Sequence, residues 1–304
     1  MGERGLWLLD AYNHQDSWAH IGADEGKTEG QGPSFHAPLP FTDHLKVTVY
    51  SAWDKAKTMI LRRALPLLLQ MPALAQSRPP LFVLGTGATE TPIAQIAQAW
   101  SVRTDRQIRT ETGNGGQVAA RLRAGEAVDV VLNADRALDA LIRDGLALAD
   151  TWQEMGRMRL ALAIRRGLPL PPMQDEAQLA ALLRAAPSIG LSDGAAGATS
   201  GRHVMALLDR LDVRAQRVPF ARGLAAVQAV TRGEVALVIT QASEILAEPG
   251  AALVAPLPES AQLITPYVAA VATRAPHMEA ARDFIAFAAT EGAVMFRAAG
   301  FQVG

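Results

Sequence analysis

From Leu81 onward, short apolar runs alternate with stretches whose apolar residues recur at helical spacing, and small-residue turns join the two. Leu81–Leu84, Val128–Leu132, Leu160–Ile164, Ser188–Leu191, Val235–Thr240 and Thr265–Thr273 read as buried strands. After the first run, Ile93, Ile96, Ala97 and Trp100 fall on one helical face. Val118 with Leu122, and Leu138 with Leu141 and Ile142, do the same further on. Helix Glu176–Ala185 buries Leu179, Leu182 and Leu183. Helix Arg202–Leu211 packs Val204, Leu207, Leu208 and Leu211, and a helix opened by Arg222-Gly223 packs Leu224, Val227 and Val230. Two C-terminal helices carry Phe284, Ile285 and Phe287, then Val294, Met295 and Phe296. Strand and helix in alternation predict an α/β fold with a largely parallel sheet.

The turns matter as much as the runs. Gly85-Thr86-Gly87, Arg109–Gln117 (RTETGNGGQ), Ser192–Gly201 (SDGAAGATSG) and Arg222-Gly223 each stand before a helix start. Thr89 or Thr91 can cap the first helix, with Pro92 in its first turn, and Asn133-Ala134-Asp135 can cap another. Free backbone N–H groups and positive dipole ends then collect at the carboxyl edge of the sheet, the arrangement of a cleft that captures a small anion.

The segment before Leu81 has a different character. Residues 1–58 hold every lysine, three of the five tryptophans and four of the six histidines, and Gly22–Pro40 lacks periodicity. These residues read as a non-globular leader, not a metal site, since no two histidines are spaced i, i+4 on a plausible helix. Residues 59–76 join a basic start (Arg62, Arg63), a short apolar run (Ala64–Met71) and small residues, the pattern of a secretory signal peptide cut after Ala75 or Gln76. An internal signal suggests that translation starts at Met59, leaving 1–58 untranslated. The apolar run is too short to span a bilayer as a helix.

A formal charge of −1 gives no basic surface for nucleic acid. The absence of cysteine excludes disulfides, a thiolate nucleophile and Cys-type zinc sites. With no lysine after residue 57, the main body has no P-loop or Schiff-base lysine. Gly85-x-Gly87-x-x-Glu90 is a dinucleotide fingerprint without its third glycine, and Glu111 is the candidate ribose acid. Gly190-Leu191-Ser192-Asp193-Gly194 matches the G-x-S-x-G nucleophile elbow, with His277 downstream, but a long small-residue loop separates Ser192 from the next helix. His203 and His277 stand alone. Arg202 and Arg222 differ from the other helix arginines because each opens a helix aimed at the cleft.

The segments LFVLGTGATETPIAQIA, GQVAARLRAGEAVDVVLNAD, SDGAAGATSGRHVMALLDRL, GLAAVQAVTRGEVALVITQASEI and ARDFIAFAATEGAVMFRAAGF, in this order, resemble the molybdate-binding-protein family of bacterial extracellular solute-binding proteins. The resemblance runs from Leu81 to Phe301. It implies a two-lobed, type II periplasmic-binding-protein-like fold, with two mostly parallel sheets flanked by helices and joined by hinge strands. The lobes would be 77–158 with 263–304, and 159–262. The family's first-loop serine falls at Ala88, its second-loop serines at Asn114-Gly115-Gly116, its third-loop contact near Ala195-Ala196 and its tyrosine at Thr240. Few hydroxyls remain there for a tetrahedral oxyanion. Gln241–Pro258 is similar to a branch that works on organic acids, resembling aconitate isomerases.

The expectation is a periplasmic, monomeric solute-binding protein without cofactor or metal that hands a small anion to the permease subunits of an ABC transporter. Its ligand would be a molybdate-like oxyanion or, better matched here, a di- or tricarboxylate. The ligand residues would be Thr86, Gly87, Ala88, Thr89, Asn114, Gly115, Gly116, Ala196, Thr199, Ser200, Arg222, Thr240 and Gln241. The alternative is a cofactor-free isomerase of a polycarboxylate such as aconitate. It needs a base, for which Glu90, Asp193, His203 and Glu244 are the candidates.

Overall fold

The computed structural model describes residues 79–304, so the leader and signal-peptide expectations fall outside the described residues. Strand β1 (Leu81–Thr86) is buried at every position, as a strand covered on both faces must be. A 3₁₀ turn, Gly87–Thr89, leads into α1 (Glu90–Thr104), which buries Pro92, Ile93, Ile96, Ala97 and Trp100. There follow β2 (Ile108–Gly113), α2 (Gly115–Arg123), β3 (Val130–Ala134), α3 (Asp135–Arg143) and the long β4 (Gln153–Arg165). Next come α4 (Glu176–Ala185), β5 (Ser188–Ser192), α5 (Thr199–Arg210), β6 (Gln216–Phe220), α6 (Gly223–Arg232) and β7 (Leu237–Gln241). The chain ends with α7 (Ala242–Leu246), β8 (Ala251–Pro256), β9 (Ile264–Val271), α8 (Met278–Ala289) and α9 (Ala293–Ala298).

The expected strands are present, with bounds shifted by a few residues. Strands β2, β6 and β8 were not anticipated. Each is only partly buried; β2 and β6 carry polar residues that break the apolar period, and β8, AALVAP, is apolar throughout and shows no alternation. Helix α5 begins at Thr199, earlier than the apolar spacing suggested, because Ser200 and Gly201 are themselves buried.

Two separate, mostly parallel sheets are not what forms. The strands make one nine-stranded curled sheet in the order β2-β1-β3-β9-β4-β7-β5-β6, with β8 added beside β4. Both ends are parallel, where β1 pairs with β2 and β3 and β5 pairs with β6 and β7. The middle is antiparallel through β9 and β4. Strand β4 makes the sheet continuous: Gln153–Arg159 pair with β9, and Leu160–Ala163 pair with β7. A thirteen-residue strand can serve both halves because it is long enough to leave one and enter the other.

Helices cover the sheet over three apolar clusters, one of which runs across both halves. The C-terminal helices return to the first half. Phe284 meets Trp100 edge to face, with ring centroids 5.8 Å apart, and Phe301 packs on both Phe296 and Tyr267. This fixes the Tyr267 ring on β9, near the middle of the sheet. Among the described residues, no helix is long and apolar enough to cross a membrane.

Candidate functional site

A cleft of about 420 Å³, counting its open mouth, lies where the strands of both halves end. Strand β1 delivers Thr86, Gly87 and Ala88 to it. Strand β2 delivers Gly113, Asn114 and Gly115, and β3 delivers Asn133 and Ala134. From the second half come Ser192, Ala198, Thr199, Ser200, Arg222, Gly223, Gln241 and Glu244, and from β9 comes Tyr267. Loops at strand ends that open helices are where an α/β sheet presents its backbone N–H groups.

Nine of the thirteen expected ligand residues line this cleft: Thr86, Gly87, Ala88, Asn114, Gly115, Thr199, Ser200, Arg222 and Gln241. The other four lie outside its lining. Thr89 is fully buried and donates through Oγ1 to the Thr86 carbonyl at 2.9 Å. Thr240 is buried and donates to Glu244 Oε2 at 2.5 Å. Gly116 and Ala196 instead meet each other across the mouth, where a Cβ on Gly116 would stand 2.4 Å from the Ala196 carbonyl oxygen. Asn114 lines the cleft, but its amide is engaged. Its Oδ1 and the Gln117 side chain form a capping box on α2, and its Nδ2 donates to the Ala221 carbonyl at 3.3 Å.

The four candidate bases separate cleanly. Asp193 caps its own turn, accepting from the N–H groups of Ala195 and Ala196. His203 Nε2 is 2.9 Å from the Ala261 carbonyl oxygen. Glu90 accepts from Thr112 at 2.7 Å and from Arg222 at 2.9 Å. Only Glu244 lines the cleft. It is 6% exposed, and burial pushes its carboxyl above the usual carboxylate range. The Thr240 hydroxyl, the backbone N–H groups of Leu224 and Gln241 and the charge of Arg222 oppose that rise.

Two glycines make room for this carboxyl. A Cβ on Gly87 would stand 2.7 Å from Glu244 Oε1, and one on Gly223 would stand 1.9 Å from Oε2. Tyr267 is buried beside it. Burial, reinforced by the charge of Glu244, raises its phenol, which therefore stays protonated and able to donate. Two other polar groups in the lining lack partners: Thr86 Oγ1 and Gln241 Oε1 are buried without a hydrogen bond. A buried polar atom left unpaired costs about 1–3 kcal/mol, so each is a group that a bound partner would satisfy.

The remaining sequence candidates fall elsewhere. Arg202 is exposed on α5 and does not reach the cleft. Ser192 lines it, but α5 starts only at Thr199, and neither described histidine is among the lining residues. His277 pairs instead with Asp129, at Nδ1 to Oδ2 3.2 Å, beyond the opposite end of β3 from Ala134. A nucleophile elbow therefore does not form. The dinucleotide reading also fails, because Glu111 is tied to Arg109 and Arg121. No group of acids and histidines among the described residues could hold a metal. Sequence reasoning passed over Gly113, Asn133, Ala134, Ala198, Gly223 and Tyr267 as cleft residues. Of these, Tyr267 carried a signal, as a lone phenol directly before the apolar run Val268–Val271.

Comparison with known proteins agrees with this geometry. The sequence profile of the family described as bacterial extracellular solute-binding protein matches residues 81–302. An aconitate isomerase from Pseudomonas sp. is 33% identical over 236 residues, covering 75% of this chain and 89% of its own. The periplasmic molybdate-binding protein of Azotobacter vinelandii shares the fold with a TM-score of 0.63 at 18% identity, over 74% of this chain and 99% of its own. The sulfate-binding protein SubI of Mycobacterium tuberculosis does so with a TM-score of 0.60 at 16% identity, over 74% and 86%. The chain thus belongs to the bacterial extracellular solute-binding protein family, with a molybdate-binding-protein-like fold and an aconitate isomerase among its relatives.

Proposed function

We propose that the cleft binds a small polycarboxylate of the aconitate class and isomerises it, with Glu244 moving the proton. The observation that carries this is the position of Glu244: it is the one carboxyl in the lining, buried, with a raised proton affinity. Aconitate has a CH₂ between a carboxylate and a double bond. A carboxylate base can take a proton from that carbon, and the electron pair then spreads over three carbons and their carboxylates. Return of the proton to the other end shifts the double bond and gives the isomer. Atoms and charge balance without an oxidant or cofactor. A base with raised proton affinity takes up a carbon-bound proton more readily, and a buried one has little competing water. Thr86, Gln241, Tyr267 and the helix starts supply donors for the carboxylates. The kinship with an aconitate isomerase supports the same reading.

The second reading is a carrier that delivers the same ligand to permease subunits, and the solute-binding family supports it. In both readings the protein acts outside the cytoplasm after losing residues through 76, as a monomer whose two halves, 77–158 with 263–304 and 159–262, close over the ligand. Proton NMR of purified protein with cis- or trans-aconitate separates the readings. Interconversion that is lost in Glu244→Gln supports the isomerase. Micromolar binding without interconversion supports the carrier, and neither binding nor turnover overturns both.

A further inference from the structure

Arg222 is the only cation in the cleft lining among the described residues, and it reaches across the molecule. It follows β6, at one end of the sheet order, while β2 stands at the other. Its Nη1 donates to Glu90 Oε2 at 2.9 Å, at the start of α1, and to Thr112 Oγ1 at 3.1 Å, on β2. Thr112 in turn donates to the same Glu90 oxygen at 2.7 Å. The three groups form a closed triangle, and Asn114 Nδ2 bonding to the Ala221 carbonyl holds the same seam beside it. Nothing among the described residues accepts from Nε or Nη2 of Arg222.

A guanidinium is a rigid planar fork, so fixing one nitrogen with two acceptors fixes the direction of the others. The half-exposed side chain then offers two N–H-bearing nitrogens in the geometry that a carboxylate takes up in bidentate fashion. From this we infer that Glu90 and Thr112 are positioning residues that aim Arg222 at an outer carboxylate of the ligand, and that this clamp selects tricarboxylates over dicarboxylates. The inference rests on the polycarboxylate reading of the cleft and adds to it which arm is read, and by what. Glu90 touches no ligand; it acts through Arg222. Since Thr112 lies on β2 and Arg222 follows β6, the contacts that aim the guanidinium also join the two ends of the sheet order.

The test is titration calorimetry on the full chain with two saturated probes that have no double bond to move. Tricarballylate carries three carboxylates. Methylsuccinate is the same skeleton with one outer carboxylate replaced by hydrogen. The wild-type protein is expected to prefer tricarballylate by about tenfold or more, the size of one charge-assisted contact. Glu90→Gln and Thr112→Val are expected to weaken tricarballylate by about five- to tenfold while leaving methylsuccinate within about twofold. Arg222→Lys is expected to abolish the preference, because an ammonium cannot make the bidentate pair. Equal losses for both probes in Glu90→Gln would mean that the triangle only holds the fold together, and would overturn the inference while leaving the polycarboxylate reading intact. An unchanged preference would overturn it in the same way. Failure of the wild-type protein to bind either probe would overturn both.

Discussion

Replacing Gly116 by alanine should damage ligand capture more than stability. Gly116 sits in the first turn of α2, and its Cα faces the loop that leads to α5. An added Cβ would stand 2.4 Å from the Ala196 carbonyl oxygen and 2.9 Å from Gly197 Cα. Both are backbone atoms, so no rotamer change relieves the clash. Ordinary contact needs about 3.5 Å, so the two loops must part by about 1 Å. Helix α2 is anchored in an apolar cluster by Val118, Ala119 and Leu122, so the facing loop must give way, while alanine favours a helix over glycine by up to about 1 kcal/mol. Because the clash lies in the empty protein as well, its melting temperature should fall, with the helix preference of alanine offsetting part of the loss. The cleft, in contrast, is shared between groups on either side of this contact, and about 1 Å of misplacement in such a site costs about 100-fold in rate. Calorimetry with tricarballylate and the NMR interconversion assay, run beside thermal unfolding, are the measurements. Undiminished binding and turnover in a normally folded Gly116→Ala protein would refute the idea that these loops close on each other over the ligand.

Three further expectations follow from the same geometry. Thr86→Val removes a buried hydroxyl that has no partner, so it should leave the empty protein as stable or more so, yet weaken tricarballylate by about 2- to 12-fold, one hydrogen bond; a loss of stability with unchanged binding would contradict this. Because burial raises the Glu244 carboxyl above its unfolded value, its contribution to stability is present below the ordinary carboxylate range and is lost as pH rises through the native value. Melting temperatures of wild type and Glu244→Gln should consequently diverge in favour of the variant from about pH 4 upward, where an unfolded glutamate begins to ionise, and parallel curves would refute the assignment. Molybdate should bind weakly or not at all, since the first two loops present Ala88 and Gly115 where a tetrahedral oxyanion needs hydroxyls; micromolar molybdate affinity with no response to carboxylates would reverse the ligand class.

Helix α4 could be read to its bounds, Glu176–Ala185, because Leu179, Leu182 and Leu183 recur at helical spacing. The buried strands β1, β3, β5 and β7 were legible as strands, with bounds shifted by a few residues. These follow from local periodicity, glycine turns and caps, which act within a few residues and so are written in the chain itself. Strands β2 and β6 were not legible, since a half-covered strand with Arg109, Glu111 or Arg217 on it has no apolar period to display, and β8 was not, since AALVAP is apolar throughout and shows no alternation. Nor was the continuity of the sheet. It depends on β4 pairing with β9 over one stretch and with β7 over the next, a choice made by partners more than seventy residues away. The site divides along the same line. Sequence placed Thr86, Gly87, Gly115, Thr199 and Ser200 in or beside turns that open helices, and these residues line the cleft. It could not choose Glu244 over Glu90, Asp193 and His203, because burial decides a carboxyl's proton affinity and burial is a property of the packed whole. Nor could it bring Arg222 to Thr112, 110 positions away, because only the curl of the sheet carries its two ends to one place.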